Sequence, residues 1–306
     1  MSQFLRLVQM LWQQVSQRQV WRSLRGARSW RLIPFLVGVA IAIALPACSS
    51  LLVDRAVSES QTNPNLLMGM PTEATSFNAN DYLINRPQYV LSYNQSKAIP
   101  NWASWQLNRD WLGDRPRLPF EPDSSLPPDW PKAMPNDYTN SGFDRGHVVP
   151  AADRNRTEAD SKAVFLMTNI LPQTPDNNRG PWESLESYCR DLVSRGKELY
   201  IIAGPAGEGG SGERGKKVAI AQKISVPAYT WKVIVVLDQP GSGLDGITDQ
   251  TRVIAVIMPN KQGIKDRNWR EFRTSVDEVE EITGYNLLSN LPENLQNFLE
   301  AEADNR

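Results

Sequence analysis

One histidine occurs in the 306 residues, His147, and it lies in "SGFDRGHVVPAADR", residues 141 to 154. Zinc hydrolases ordinarily use two or three histidines or a cysteine cluster, and the chain has only Cys48 and Cys189 besides. A Cys-His nucleophile pair would need Cys189, which falls on the apolar stripe of a helix, and no G-x-S-x-G elbow accompanies a serine. The chemistry that remains for a single imidazole is general-base catalysis beside a metal bound through oxygen. Magnesium suits this arrangement, because it keeps several waters and accepts one or two protein oxygens plus a phosphate. Residues 176 to 190, "DNNRGPWESLESYCR", offer Asn177, Asn178 and Glu186 as oxygen donors and Arg190 as a cation for a phosphate. Around the histidine, Asp144 is placed to hold the ring or the loop, and Arg145 adds local positive charge. Gly146 permits a bend that a side chain would block. Spacing alone leaves a structural role for His147 open beside the catalytic one.

The elements that must position these residues follow from periodicity. "NNRGPWESLESYCRDLVSRGK" reads as a helix, with Pro181 suited to its first turn and Gly196 to its end. Trp182, Leu185, Cys189, Leu192 and Val193 form its apolar stripe, with Glu186 and Arg190 along the margin. "SKAVFLMTNILPQ" reads as a short helix running into a buried strand, and "YVLSYNQSKAIPNWASWQLN" as two strands. The runs "ELYIIAG", "YTWKVIVVL" and "TRVIAVIMP" are nearly continuous in apolar residues, as in a sheet covered on both faces, and "KKVAIAQKISVP" reads as a fourth strand. A proline-rich surface loop holding Arg115 and Arg117 leads into the histidine motif. "RNWREFRTSVDEVEEITGYNLLSNLP" reads as a helix and a packing tail. The sum is an α+β fold with a mainly antiparallel central sheet flanked by helices.

Residues 1 to 48 read as a signal peptide or lipoprotein anchor. Six arginines and no acid precede the 14-residue apolar block "LIPFLVGVAIAIAL" and then "LPACSS", in which Cys48 is the residue a lipid would take. This implies an exported chain, extracellular, periplasmic or anchored on the outer side of a membrane; a mitochondrial transit peptide is the weaker alternative. Residues 49 to 85 read as a tether and irregular start, and 86 to 306 as the catalytic domain. The leader's arginines leave 27 of the 33 bases to set against all 34 acids. A body this acidic does not coat nucleic acid by bulk electrostatics, so any polyanion must be gripped by a local cluster.

Three further motifs have plainer explanations. "GSGERGK" fits G-x-x-x-x-G-K, but Lys217 stands where a phosphate loop needs Ser or Thr, and a glycine-rich hairpin accounts for it. The ten tryptophans are assigned to packing rather than base stacking. The acidic run in "SVDEVEEITG", able to attract Ca²⁺, is assigned to a solvated helix face.

"DRGHVVPAADR" resembles the DRGH motif of the DNA/RNA non-specific endonucleases, of the ββα-metal or His-Me finger class. "NILPQTPDNNRGPWESLE" is similar to that family's asparagine-bearing helix segment. The similarity extends from about Asn65 to Pro292, takes in "PNWASWQLN" and "VIMPN", and is closest to the exported sugar-non-specific nucleases of cyanobacteria. The resemblance implies that His147 is the general base, that Asn178 is the direct ligand of hydrated Mg²⁺ or Mn²⁺, and that Glu186 holds metal-bound water. It implies that Arg190 contacts the phosphate. A further arginine belongs in the loop before the motif, where "GDRPRLPF" leaves Arg115 and Arg117 as alternatives; Arg145 is a third candidate substrate contact. The substrates implied are DNA and RNA, gripped through their backbones. A proteinaceous inhibitor and membrane anchoring are further partners the resemblance leaves open, and no oligomeric state is implied. Two other readings use the same residues: an inactive nucleic-acid-binding or structural lipoprotein, and a metal phosphoesterase acting on small phosphate esters.

Overall fold

The computed structural model describes residues 63–306. The leader, Cys48 and the first part of the tether lie outside the described residues. No helix among the described residues is long and apolar enough to cross a membrane.

Seven antiparallel strands form the central sheet in the order β1-β2-β3-β6-β11-β12-β13. They are β1 (Tyr82–Asn85), β2 (Val90–Asn94), β3 (Ile99–Leu107), β6 (Glu198–Ala206), β11 (Tyr229–Leu237), β12 (Arg252–Pro259) and β13 (Arg273–Thr274). The near-continuous apolar runs of β6, β11 and β12 have the expected cause, since both faces of the sheet are covered. Strand alternation sorts their side chains between two cores. On one face lie Trp105, Ile201, Ile234 and Ile254; on the other lie Trp102, Ile202, Trp231 and Ala255. Trp102, Trp105, Trp231 and Trp269 are all fully buried, which accords with tryptophan as packing material.

The first face carries a smaller layer, in which β4 (Asp144–His147) pairs antiparallel with β5 (Ile170–Gln173). Between them lies α1 (Glu158–Val164), opened by a Thr157–Asp160 capping box. After β5 comes α2 (Glu183–Ser194), whose buried residues Leu185, Cys189, Leu192 and Val193 are the stripe read from the sequence. Gly196 follows its end at φ +87°, a conformation that favours glycine. The second face is covered by the segment around Leu66 and Met68, by α3 (Val276–Thr283) and by α4 (Glu293–Glu300).

Three features differ from the sequence reading. The segment before residue 86 is not wholly irregular: β1 lies on the sheet, and Leu66, Met68 and Ala74 are buried in the core, so the packed body reaches back to at least residue 63. "KKVAIAQKISVP" is not a fourth strand of the sheet. It splits into β8 (Gly215–Lys217), β9 (Ala219–Ile220) and β10 (Ile224–Ser225), because Ala221 and Gln222 turn the chain at φ +47° and +58°. α4 lies beyond the last segment to which the sequence reading assigned structure. "GSGERGK" is a hairpin, with β7 (Gly210–Gly212) pairing with β8.

Candidate active site

The β4–β5 pair places His147 opposite Ile170 and Asp144 opposite Gln173. The approach is close, and a Cβ at Gly146 would collide with the Gln173 carboxamide. Asn169 fixes the exit from β4: its Oδ1 accepts from Val149 N at 3.0 Å, and its Nδ2 donates to Val149 O and Val164 O at 2.9 Å. The imidazole packs in a triangle with Phe120 and Phe165, whose ring centroids are 5.2 and 5.0 Å from it and 5.1 Å from each other. Phe120 reaches it because the neighbouring Glu121 pairs through its backbone with Phe165 and Met167.

Burial, helped by the charge of Arg117, pushes the His147 pKa down to about 3, so the ring is neutral at pH 7. Its Nε2 is enclosed and has no hydrogen-bond partner among the described residues. Arg117 stands over the Phe165 ring, 5.4 Å from its centroid. Arg115 is exposed, and the carboxylate its charge reaches is Glu158. Of the two loop arginines, Arg117 is the one brought to the histidine.

The metal-binding candidates sit where β5 turns into α2. Asn260, in "VIMPN", ties that turn to the sheet. Its Oδ1 accepts from Thr174 N at 2.7 Å, and its Nδ2 donates to Pro172 O and Pro227 O at 3.0 and 2.9 Å. A helical turn, Pro175–Asn177, and a wider π turn, Asn178–Trp182, then lead into α2. Gly180 breaks the helix at φ −123°, ψ −114°, where a Cβ would meet Lys265 O at 2.5 Å. Pro181 therefore lies in the π turn rather than in the first turn of the regular helix.

Asp144 holds Asn178, not the histidine ring. Asn178 Nδ2 donates to Asp144 Oδ2 at 2.8 Å, while Arg179 adds a fork through Nε and Nη2 at 2.8 and 2.6 Å. The nitrogen end of the Asn178 amide is thereby committed, and its oxygen is left for another partner. An amide oxygen, with a carboxylate such as Glu186 as the other oxygen donor of the segment, suits a hard divalent cation that keeps water, and it suits zinc poorly.

Burial pushes the Glu186 pKa up to about 7, with Lys232 the main influence in the other direction. Lys232 is 1% exposed; its Nζ lies 3.8 Å from Glu186 Oε1 and 4.1 Å from the centre of the Trp182 ring. Arg190 does not stand free for a phosphate. Its Nη1 donates to Asp153 Oδ1 at 3.0 Å and its Nη2 to Ser187 Oγ at 3.0 Å. Asp153, 1% exposed, also accepts from Trp105 Nε1 at 3.1 Å. Arg145 is likewise engaged: Nη1 donates to Pro135 O at 3.1 Å, and the guanidinium lies 4.9 Å from the centroid of Phe120. It props the wall beside the histidine.

Asp153, Lys232 and Asn260 join the site beyond the residues that motif and spacing single out. Lys232 carried a signal, a lone charge inside the apolar run "YTWKVIVVL", and Asp153 stood in the histidine motif itself. Asn260 closed "VIMPN" without a role.

The family model for DNA/RNA non-specific endonuclease matches residues 69–294. A nuclease of Nostoc sp. (strain PCC 7120 / SAG 25.82 / UTEX 2576) is 48% identical over 276 residues, 88% of this chain and 98% of that protein. The mitochondrial nuclease EXOG of Xenopus laevis is 29% identical over 276 residues, 84% of this chain and 74% of that protein. Among solved structures, EndoG in its complex with EndoGI shares the fold, with a TM-score of 0.61 at 24% identity, over 74% of this chain and 91% of that one. The ββα-metal architecture read from the motif is the architecture observed.

Proposed function

The chain belongs to the DNA/RNA non-specific endonuclease family and is a nuclease, and from that premise we propose that it hydrolyses the phosphodiester bonds of DNA and RNA with His147 as the general base. The observation that supports this reading is a neutral imidazole, packed against a pair of phenylalanines, on the same small layer as an asparagine whose amide is locked by Asp144. With Nε2 enclosed, Nδ1 is the nitrogen assigned to take the proton of the attacking water. Asn178 would hold a divalent cation, Mg²⁺ or Mn²⁺, through its free amide oxygen, with Glu186 as the second oxygen donor on its hydration shell. When bound, the cation supplies Lewis-acid stabilisation of the charge that develops on the phosphate and the departing 3′ oxygen.

Arg117 has two tasks in this scheme. Its charge helps keep His147 neutral, and its fork is the phosphate contact from the upstream loop. Arg190 acts at one remove, by fixing Asp153 and Ser187 beside Glu186. Every contact to substrate addresses the sugar-phosphate backbone, which carries no sequence information, and acceptance of both nucleic acids follows. Export through the N-terminal leader accords with this reading, since a nuclease without base preference endangers the cell that makes it. Control by a proteinaceous inhibitor is the other protection, and the structurally similar EndoG is seen in complex with EndoGI.

The test is digestion of supercoiled plasmid and single-stranded RNA with Mg²⁺ or with EDTA, beside His147→Ala. The expected loss in the variant is about 10²–10⁴-fold, the range of general-base catalysis. Because the His147 pKa is depressed to about 3, the base form is present throughout pH 5 to 8, so the rate should show no histidine step near 6.5. Undiminished cleavage by the variant, or no metal-dependent cleavage by the unmutated protein, would overturn the reading.

A further inference from the structure

On the face of the sheet away from His147, α3 and α4 bring three carboxylates together. Asp277 and Glu280, one turn apart on α3, meet Glu300, the last residue of α4, and one oxygen of each lies within 4.8 Å of the others. The acidic run on α3 is therefore more than the solvated helix face its sequence suggests. Glu300 is 5% exposed, and its Oε1 is enclosed with no hydrogen-bond partner among the described residues. No lysine or arginine among the described residues forms an ion pair with any of the three.

The surroundings make this arrangement costly without a cation. Glu300 ends its helix, where the helix dipole is negative, and so gains nothing from the backbone. Burial, then Glu280 and Asp277, push its pKa up to about 7. Glu280 is oriented by the Leu287 N–H, which donates to its Oε1 at 2.5 Å and leaves Oε2 for another partner. A buried carboxylate without a hydrogen bond or counter-charge is among the most expensive groups a fold can hold.

We propose that Asp277, Glu280 and Glu300 form a calcium site, separate from the catalytic centre, that ties α4 to α3. Calcium takes oxygen ligands at about 2.3–2.6 Å, so two oxygens across the ion lie up to about 5 Å apart, and three oxygens within 4.8 Å of one another can share one such shell. Magnesium, strictly octahedral and reluctant to give up its water, suits three carboxylates closing directly on one ion less well than calcium, which takes six to eight oxygens in flexible geometry. Asp277 is exposed and gives the ion its entry path, with the remaining positions open to water.

The test is calcium binding by equilibrium dialysis, together with thermal unfolding, on metal-stripped protein. Asn178→Ala is carried in parallel, so that binding at the catalytic centre is counted apart. The unmutated chain and Asn178→Ala should each take up one Ca²⁺ at this corner with a dissociation constant of about 10⁻⁴–10⁻³ M, the range of extracellular calcium modules. Their unfolding midpoints should rise by a few degrees in about 10 mM CaCl₂ and less in MgCl₂. Glu300→Gln should weaken uptake at this corner at least tenfold. Asp277→Asn, at the exposed ligand, should do the same and serves if the first variant fails to fold. Unchanged calcium stabilisation in the variants, no rise in the unmutated chain, or an equal rise with Mg²⁺ would overturn the proposal.

Discussion

Two carboxylates on opposite faces of one sheet, Glu186 and Glu300, are both pushed up to about 7 by burial. Their neighbours differ. Glu186 shares its pocket with Lys232 and with Arg190, which is paired to Asp153, so negative and positive charges interleave. Among the charged groups of the described residues, those that act on Glu300 are Asp277 and Glu280. Burial alone therefore does not mark a catalytic carboxylate. On the His147 face the protein supplies its own fixed cations, while the α3–α4 corner is left to draw one from solution.

Removing a charge from the balanced face should give the larger effects. Arg190→Ala leaves Asp153, 1% exposed, with Trp105 Nε1 as its remaining side-chain donor. The expected cost is roughly 3 kcal/mol, the low end for breaking a buried pair, because about a fifth of Arg190 faces solvent. Chemical denaturation would measure it, and adding Asp153→Asn should recover much of the loss. An Arg190→Ala protein as stable as the unmutated one would show that the charges on this face are not interdependent. Asp144→Asn should act on activity rather than stability, since Arg179 is 63% exposed and its ion pair is worth little. With the Asn178 amide no longer held by a carboxylate, the rate at low Mg²⁺ should fall about 10–100-fold, as expected when the group orienting a metal ligand is lost. A Mg²⁺ titration identical to that of the unmutated chain would mean that Asp144 does not set the ligand.

What the sequence disclosed on each face follows from how far apart the interacting residues are. His147, the stripe from Trp182 to Val193 and the runs of β6, β11 and β12 were legible because each is a local pattern. Lys232 and Glu186 stand 46 positions apart, and Asp153 and Arg190 stand 37 apart, so no window along the chain shows either pair. From the sequence, Asp144 is placed to hold the ring of His147 or its own loop. The pairing of β4 with β5 carries it instead to Asn178 and Arg179, more than thirty positions on. "KKVAIAQKISVP" has the composition of a strand, yet two residues with positive φ in its middle divide it. The acidic face of α3 reads as solvated because Glu300, which converts it into a cluster, comes from the far end of the next helix, twenty positions after Glu280.

The smallest expected effect gives the finest test of the contrast, because its sign is opposite to that of Arg190→Ala. The Glu300 pKa is raised from 4.5 to about 7 in the folded chain. Between those values the folded state holds a proton that the unfolded state has released, so stability falls as pH rises through the interval, and the loss is complete above about 7. Glu300→Gln has no such proton to lose. In EDTA at pH 8 it should unfold a few degrees above the unmutated chain, on the scale of roughly 2–4 °C per kcal/mol, and the gap should close as pH approaches 4.5. His147, whose depressed pKa removes stability as pH falls from 6.5 toward 3, is common to both proteins and cancels in the difference. Calcium at pH 8 should then raise only the unmutated chain and narrow the gap. A gap of the same size at pH 5 and pH 8 would show that Glu300 titrates as an ordinary surface carboxylate, and the two faces would no longer differ in kind.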